Sequence, residues 1–320
     1  MKFKSLLKEM RFGLPQVAGN MVVIPIVSDT QNVEISEDML FNISSDSSYE
    51  SLTLSNDDTK PVIVPQGASY INKQTAQDRA VLSAEVIEVN KSKVVNVSCI
   101  QSSQGGHMST GTKEFRFIPA TLRIKAIEKD EHSSHSEYSL LWKDIEEYKK
   151  LVGLDGRAHM SDFYEKFEKS LEEFIAPFER IEKQIGAVVF INNKIAGVEI
   201  YPNYKSWNNV WKKLIRDTYG SEAIAFIKNK RAVALRPKIN IDNVTDFDSL
   251  EVEAKTVIND ITNNLKEIID VVIEEDVEET EVNKVGTYII NNLLTHTFIG
   301  QYIKTGEDIV YVTAMHSSIK

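Results

Sequence analysis

The stretch GAVVFINNKIAGVEIY, Gly186–Tyr201, decides how the rest of the chain reads. Two apolar runs flank Asn192-Asn193, and asparagine tolerates the left-handed backbone that a two-residue hairpin turn demands. The spacing predicts two antiparallel strands. Other helical and strand patterns surround them without regular βαβ alternation, so an α+β fold is expected rather than a doubly wound sheet. Residues 1–320 read as one compact unit. A β-rich part over 20–130 packs with a mixed helical and hairpin part over 136–320, which ends in a C-terminal hairpin.

Moving outward, Phe163, Phe167, Leu171, Phe174, Phe178 and Ile181 recur at helical spacing, with a kink or restart at Pro177. Asp162 is the expected cap, with Glu165 three residues on as in a capping box. Tyr138, Leu141, Trp142, Ile145, Tyr148 and Val152 form a second stripe. Both aromatic stripes read as core. After the hairpin, Trp207, Val210, Trp211, Leu214 and Ile215 make a helix face that Gly220 should end, with Ser221 capping a short successor. Leu250 to Val272 is a long amphipathic helix, and FIGQYIKTGEDIVYVTAMH closes a hairpin near Thr305-Gly306. Towards the N-terminus, MVVIPIV (Met21–Val27) carries Pro25 and reads as an edge strand or a bulge. SLTLSNDD and KPVIVPQG are short strands. Ala80–Ile100 reads as a hairpin closed near Asn90-Lys91-Ser92, with Leu82 opposite about residue 100. Phe115–Glu128 alternates like a strand, which would send Arg116 and Arg123 to opposite faces.

Composition narrows the function. The apolar fraction of 42% supports a sizeable core, and 14 glycines with 8 prolines exclude a fibrous chain. No run approaches the roughly 18 apolar residues of a membrane span. Lys8, Glu9 and Arg11 interrupt the leucines near the start, which makes a poor signal peptide. The lone Cys99 excludes an intrachain disulfide framework. These features predict a soluble cytoplasmic protein with no membrane partner. The net charge of −10 argues against non-specific nucleic-acid binding. Glu274–Glu281, EEDVEETE, reads as a solvated acidic loop or helix end.

One polar run resists a purely structural reading. QGASYINKQTAQDRAV, Gln66–Val81, is far longer than a turn of about two to five residues. Its end, Gln77-Asp78-Arg79, and the loop from Gln101 to His107 should leave the 80–100 hairpin at the same end. Arg79 offers a planar fork of donors for phosphate or carboxylate. Gln74, Gln77 and Gln101 offer donors and acceptors, and Gly105-Gly106 lets backbone amides approach a ligand. The plainer alternative has the same residues tying the loops together.

Gly67, Gln77, Arg79, Val97, Cys99 and Gly105-Gly106 resemble the motif order of the ADP-ribosylglycohydrolase- and rhodanese-phosphatase-associated protein domain family. Gln184-x-Gly186, Gly197-Val198-Glu199, Trp211, Leu214 and Tyr219 resemble its second block, and the strand ending in His316 follows. The resemblance implies a genomic link to ADP-ribose and phosphate chemistry and no stated reaction. The family pattern has an acidic residue after the cysteine and a Gly-Arg-aromatic cluster. Here Gln101 and Gly106-His107 stand there, which implies altered or lost activity.

Cys99 sits in an apolar strand and reads as a buried thiol rather than a nucleophile. His132 and His135 have i,i+3 spacing in a charged loop without a cysteine partner, so no metal site is assigned. The fingerprints of phosphate-loop hydrolases, serine hydrolases, dinucleotide oxidoreductases and zinc proteases are absent. The expectation is a pocket for a phosphorylated nucleotide-like small molecule at the end of the 80–100 hairpin. Gln74, Gln77, Arg79, Gln101, Gly105 and Gly106 bind, and His107 transfers a proton if there is turnover. No cofactor is assigned. The rival expectation is a non-enzymatic module that binds a protein partner.

Overall fold

The structure is a computed structural model, and it describes residues 1–32, 34–38, 42–72, 77–103, 105–106, 114–132, 138–233 and 244–319. The fold is α+β, with strands and helices numbered in chain order.

The 186–201 hairpin forms as its turn chemistry dictates. β12 (Gln184–Ile191) and β13 (Lys194–Ile200) pair antiparallel, and Asn192 and Asn193 take φ of 53° and 62°. A larger antiparallel sheet grows from this pair. β3 (Met21–Val27) lies beside β12, and β17 (Asp308–His316), β16 (Phe298–Thr305), β15 (Tyr288–Leu294) and β14 (Glu278–Val285) follow β13 outward. β3 is therefore interior rather than an edge strand, one of the two expectations; the other, a bulge, has its counterpart in the register shift between Gln184 and Gly186 in the β12–β3 ladder. Its other side holds two short strands, β1 (Arg11–Phe12) and β2 (Gln16–Ala18), which pair with residues on either side of Pro25. The proline, with no N–H to give, falls in the gap between them.

The second sheet runs β11 (Glu114–Phe117), β7 (Ala68–Ile71), β8 (Arg79–Val81), β10 (Ser92–Cys99), β5 (Ser51–Ser55), β4 (Asn42–Ser48). It corrects the 80–100 hairpin. Arg79, Ala80 and Val81 pair with Cys99, Ser98 and Val97, and Leu82 N donates to Asn96 O. The chain then leaves the ladder, and β9 (Glu85–Ile87) pairs with β6 (Val62–Val64) instead. Phe115–Glu128 is likewise not one strand. It is β11, then Pro119, then α1 (Ala120–His132). Proline suits the position before a first helical turn, where its missing N–H costs nothing. α1 is buried on two sides, with Ile124 and Ile127 in one apolar cluster and Leu122 and Ala126 in another. That double burial imitates strand alternation.

Three apolar clusters define the layers. The first lies between the two sheets, where Val23, Val189 and Ala196 meet Leu52, Val97 and Phe117, with Val64 of β6 in the same cluster. The second lies on the far face of the larger sheet, under the C-terminal half of α6 (Phe247–Val272) and the N-terminal turn carrying Phe3 and Leu6. The third joins α1 to α2 (Trp142–Leu151) and α3 (Met160–Ile175), through Leu122, Tyr148, Phe163, Phe167 and Leu171. α3 stops before Pro177, and its N-cap is His159. Asp162 instead accepts from Lys149 Nζ at 2.5 Å. α4 (Tyr204–Leu214) starts at a capping box of Asn203 and Ser206. Gly220 does not end this helix. The chain continues through a π-helical turn, Ile215–Gly220, into α5 (Ser221–Lys228). Glu278–Glu281 of the acidic run is strand, on the solvent-exposed outer edge of the larger sheet, not loop or helix end.

A buried ion pair joins the layers. Arg123 and Glu199, both fully enclosed, meet at 2.6 Å. Arg123 also donates to Gln66 Oε1 at 2.8 Å and Thr313 Oγ1 at 2.6 Å, and Tyr219 Oη donates to Glu199 at 2.8 Å. Arg123 thus reaches the strand core from a helix. No described helix is long and apolar enough to cross a membrane.

Candidate functional site

The β8–β10 register brings the two polar segments to one end of the sheet, because Arg79 stands opposite Cys99. Arg79 is fully enclosed. Its Nη1 donates to Gln77 Oε1 at 3.0 Å, and its guanidinium lies 5.2 Å from the centre of the Tyr49 ring. The Gly106 amide donates to Tyr49 Oη at 3.5 Å, and Gly105 lies against the same hydroxyl. Gly106 has φ of 105°, a conformation that favours glycine. Gln77, Arg79, Gly105 and Gly106 therefore gather around one tyrosine. Gln101 bridges to His159, and Ser103 Oγ lies 2.6 Å from His159 Nε2, so this loop is fastened to the start of α3. Gln74 and His107 lie outside the described residues, as does His135. Cys99 is buried and donates to Gln101 O at 3.1 Å; burial pushes its thiol pKa up, away from a reactive thiolate.

The same sheet end meets the first turns of α3 across a cleft of about 250 Å³. β7 and β11 contribute Ile71, Glu114 and Arg116, and α3 contributes Ser161, Tyr164, Glu165 and Glu168. Asp78 lies just behind, its carboxylate accepting from Asn72 N at 2.7 Å. Burial pushes the Asp78 pKa up to about 7, with Glu114 and Glu165 adding repulsion. A carboxyl group that titrates near neutrality beside a cleft is suited to general acid–base work.

Arg116 forms the cleft's cationic wall. Its Nε donates to Glu114 at 2.6 Å, its Nη2 to Glu168 at 2.5 Å, and its guanidinium lies 4.7 Å from the Tyr164 ring centre. Asp217, on the π-helical turn, backs it at 3.6 Å. Asp217 is fully buried, accepts from Arg216 Nε at 2.6 Å and from Phe117 N at 3.3 Å, and burial raises its pKa. Among the described residues no group of three or more metal-ligating side chains is arranged to hold an ion.

Sequence reasoning anticipated the convergence at Arg79 but not Tyr49, nor the cleft's residues on α3. A signal for the latter exists. Ser161, Glu165, Glu168 and Glu172 recur at 4-3-4 spacing, a polar stripe on the helix whose other face carries Phe163 and Phe167. What the stripe faces is a tertiary matter.

The sequence profile of the ARG and Rhodanese-Phosphatase-superfamily-associated Protein domain matches residues 9–267, which include the whole second sheet and every residue lining the cleft. No curated protein and no solved structure matches the chain.

Proposed function

The chain belongs to the family of the ARG and Rhodanese-Phosphatase-superfamily-associated Protein domain, and we propose that it binds a phosphorylated, nucleotide-like small molecule, of the ADP-ribose class, in the cleft between β11 and α3. The observation that carries this reading is the cleft itself, which joins a buried guanidinium and exposed carboxylates in one polar recess, with Asp78, its pKa raised to about 7, buried behind it. Carboxylates accept from sugar hydroxyls, and a guanidinium suits an anion. Arg79 is enclosed with Gln77 and Tyr49, so in this reading the ligand contact moves to Arg116. Turnover, in this reading, uses Asp78 as the proton carrier.

The test is a thermal-midpoint screen of the full chain with ADP-ribose, NAD, nucleotides and sugar phosphates. A ligand that binds only the folded state at a hundred times its Kd stabilises by about 2.7 kcal/mol. Ser161→Trp, at the partly exposed mouth, should fold normally and abolish the shift. A panel without any shift, or a shift that Ser161→Trp leaves intact, refutes the assignment. A protein-binding role is the second reading, favoured by the exposed acidic edge strand β14. It predicts a partner whose capture is lost when Glu278 and Glu281 are replaced by lysine.

A further inference from the structure

The π-helical turn does more than join two helices. It sets Arg216 beside Arg116 at the open edge of β11, and Asp217 holds both from behind. On the outer side a single carboxylate spans the two guanidiniums. Glu168 Oε2 lies 2.5 Å from Arg116 Nη2, and Glu168 Oε1 lies 3.5 Å from Arg216 Nη1. The arginines are buried, whereas the Glu168 side chain that spans them is 42% exposed and borders water. Lys213, from the last turn of α4, reaches the same edge. Its ammonium lies 5.4 Å from the Phe115 ring centre and makes no hydrogen bond or ion pair among the described residues. Burial and the nearby Arg216 lower its pKa, as expected of an amine crowded by like charge.

We propose that Arg116, Arg216 and Lys213 form an anion subsite for a phosphate group, and that Glu168 occupies it as a placeholder when no anion is bound. Two oxygens of a tetrahedral phosphate replace the two carboxylate oxygens of Glu168 across the guanidinium pair. A third oxygen reaches the Lys213 ammonium, which Glu168 does not engage. The local charge permits this exchange. With Glu168 swung away, Arg116, Arg216, Lys212 and Lys213 face Asp217, Glu114 and Glu172, a surplus of one positive charge. With Glu168 in place the cluster is neutral. Asp217, which touches no ligand, is a positioning residue. It holds both guanidiniums outward and carries the cost of gathering them.

This subsite rests on the cleft reading above, since Arg116 belongs to both, and it names where the ligand's phosphate sits. The test uses inorganic phosphate as probe, titrated into the full chain by calorimetry and phosphorus NMR, against chloride at equal ionic strength. Wild-type protein should bind phosphate selectively. Lys213→Met keeps the aliphatic stem on Phe115 and removes the charge, and it should weaken binding about tenfold, the loss of one charge-assisted contact. Glu168→Gln removes the competing charge and should tighten binding about threefold or more. Both sites lie at the surface of the cluster, and unliganded thermal midpoints check that both variants fold. Phosphate binding no stronger than chloride, or wild-type affinity in both variants, overturns the proposal. The two readings fail separately. If the variants alter phosphate affinity while no nucleotide-like compound binds, the subsite stands and the nucleotide assignment falls. If such a compound binds equally to all three proteins, the subsite falls alone.

Discussion

Glu199→Gln should destabilise the protein by about 3–5 kcal/mol, the cost of stranding a buried charge without its partner. Arg123 is fully enclosed and spends its donors on Gln66, Glu199 and Thr313. Glutamine keeps an acceptor for Arg123 and for Tyr219 but removes the only counter-charge that touches the guanidinium among the described residues. Water cannot reach the site to compensate. Arg123→Met leaves the opposite orphan, a buried carboxylate, and should cost a similar amount. The double variant removes both charges, so its cost should fall short of the sum by about 2–3 kcal/mol. Glu199 Oε2 and Tyr201 Oη already lack a hydrogen-bond partner among the described residues, so the native pair is itself incompletely satisfied. Urea denaturation followed by tryptophan fluorescence suits the measurement, because Trp207 is buried 5.5 Å from the Tyr201 ring in the same core. The denaturant slope must stay constant for the midpoints to report stability. A single-variant cost below about 1 kcal/mol, or strict additivity, would refute the view that these charges are dry and mutually dependent.

Glu222 offers a pH test. Burial pushes its pKa up to about 7 from 4.5, and its Oε1 accepts from Thr121 N at 2.8 Å at the start of α1. Between those values the folded chain holds a proton that the unfolded chain has released, so stability falls as pH rises through the window, by up to about 3 kcal/mol. Glu222→Gln keeps the acceptor and should reduce the loss of urea midpoint between pH 5 and 8, leaving the part that Asp78 contributes in the same window; an unchanged slope counts against it. Gly67 has φ of 76°, and a Cβ there would meet Arg123 Cγ at 2.7 Å. Gly67→Ala should therefore cost about 2 kcal/mol or more from backbone strain and displacement of the buried arginine. A thermal midpoint equal to wild type would show that Arg123 can yield.

Part of this architecture was legible in the chain because its causes are local. Asn192-Asn193 closes one hairpin and Gly306-Glu307, beside the expected Thr305-Gly306, closes another, with φ of 53°, 62° and, at Gly306, 59°. The stripes of α2, α3, α4 and α6 are visible because each helix has one dry and one wet face. The α+β class and the family resemblance followed from such short-range signals. α1 was not legible, since a helix dry on two sides loses the period that identifies it. Nor was the end of α4, because burial keeps the chain helical through Gly220.

Which strands pair is a different kind of fact. Leu82 to Ala84 carry no signal that β9 leaves β10 for β6; that choice is made by apolar surface supplied from elsewhere. The cleft depends on it further. Arg116 on β11, Glu168 on α3 and Arg216 on the π-helical turn come from three segments well separated in sequence, with Arg116 and Arg216 lying 100 residues apart. Each alone reads as a solvated charge. Only packing β11 against α3 and the π-helical turn removes water from between them. That desolvation, not any residue's own chemistry, turns ordinary surface charges into one coupled cluster.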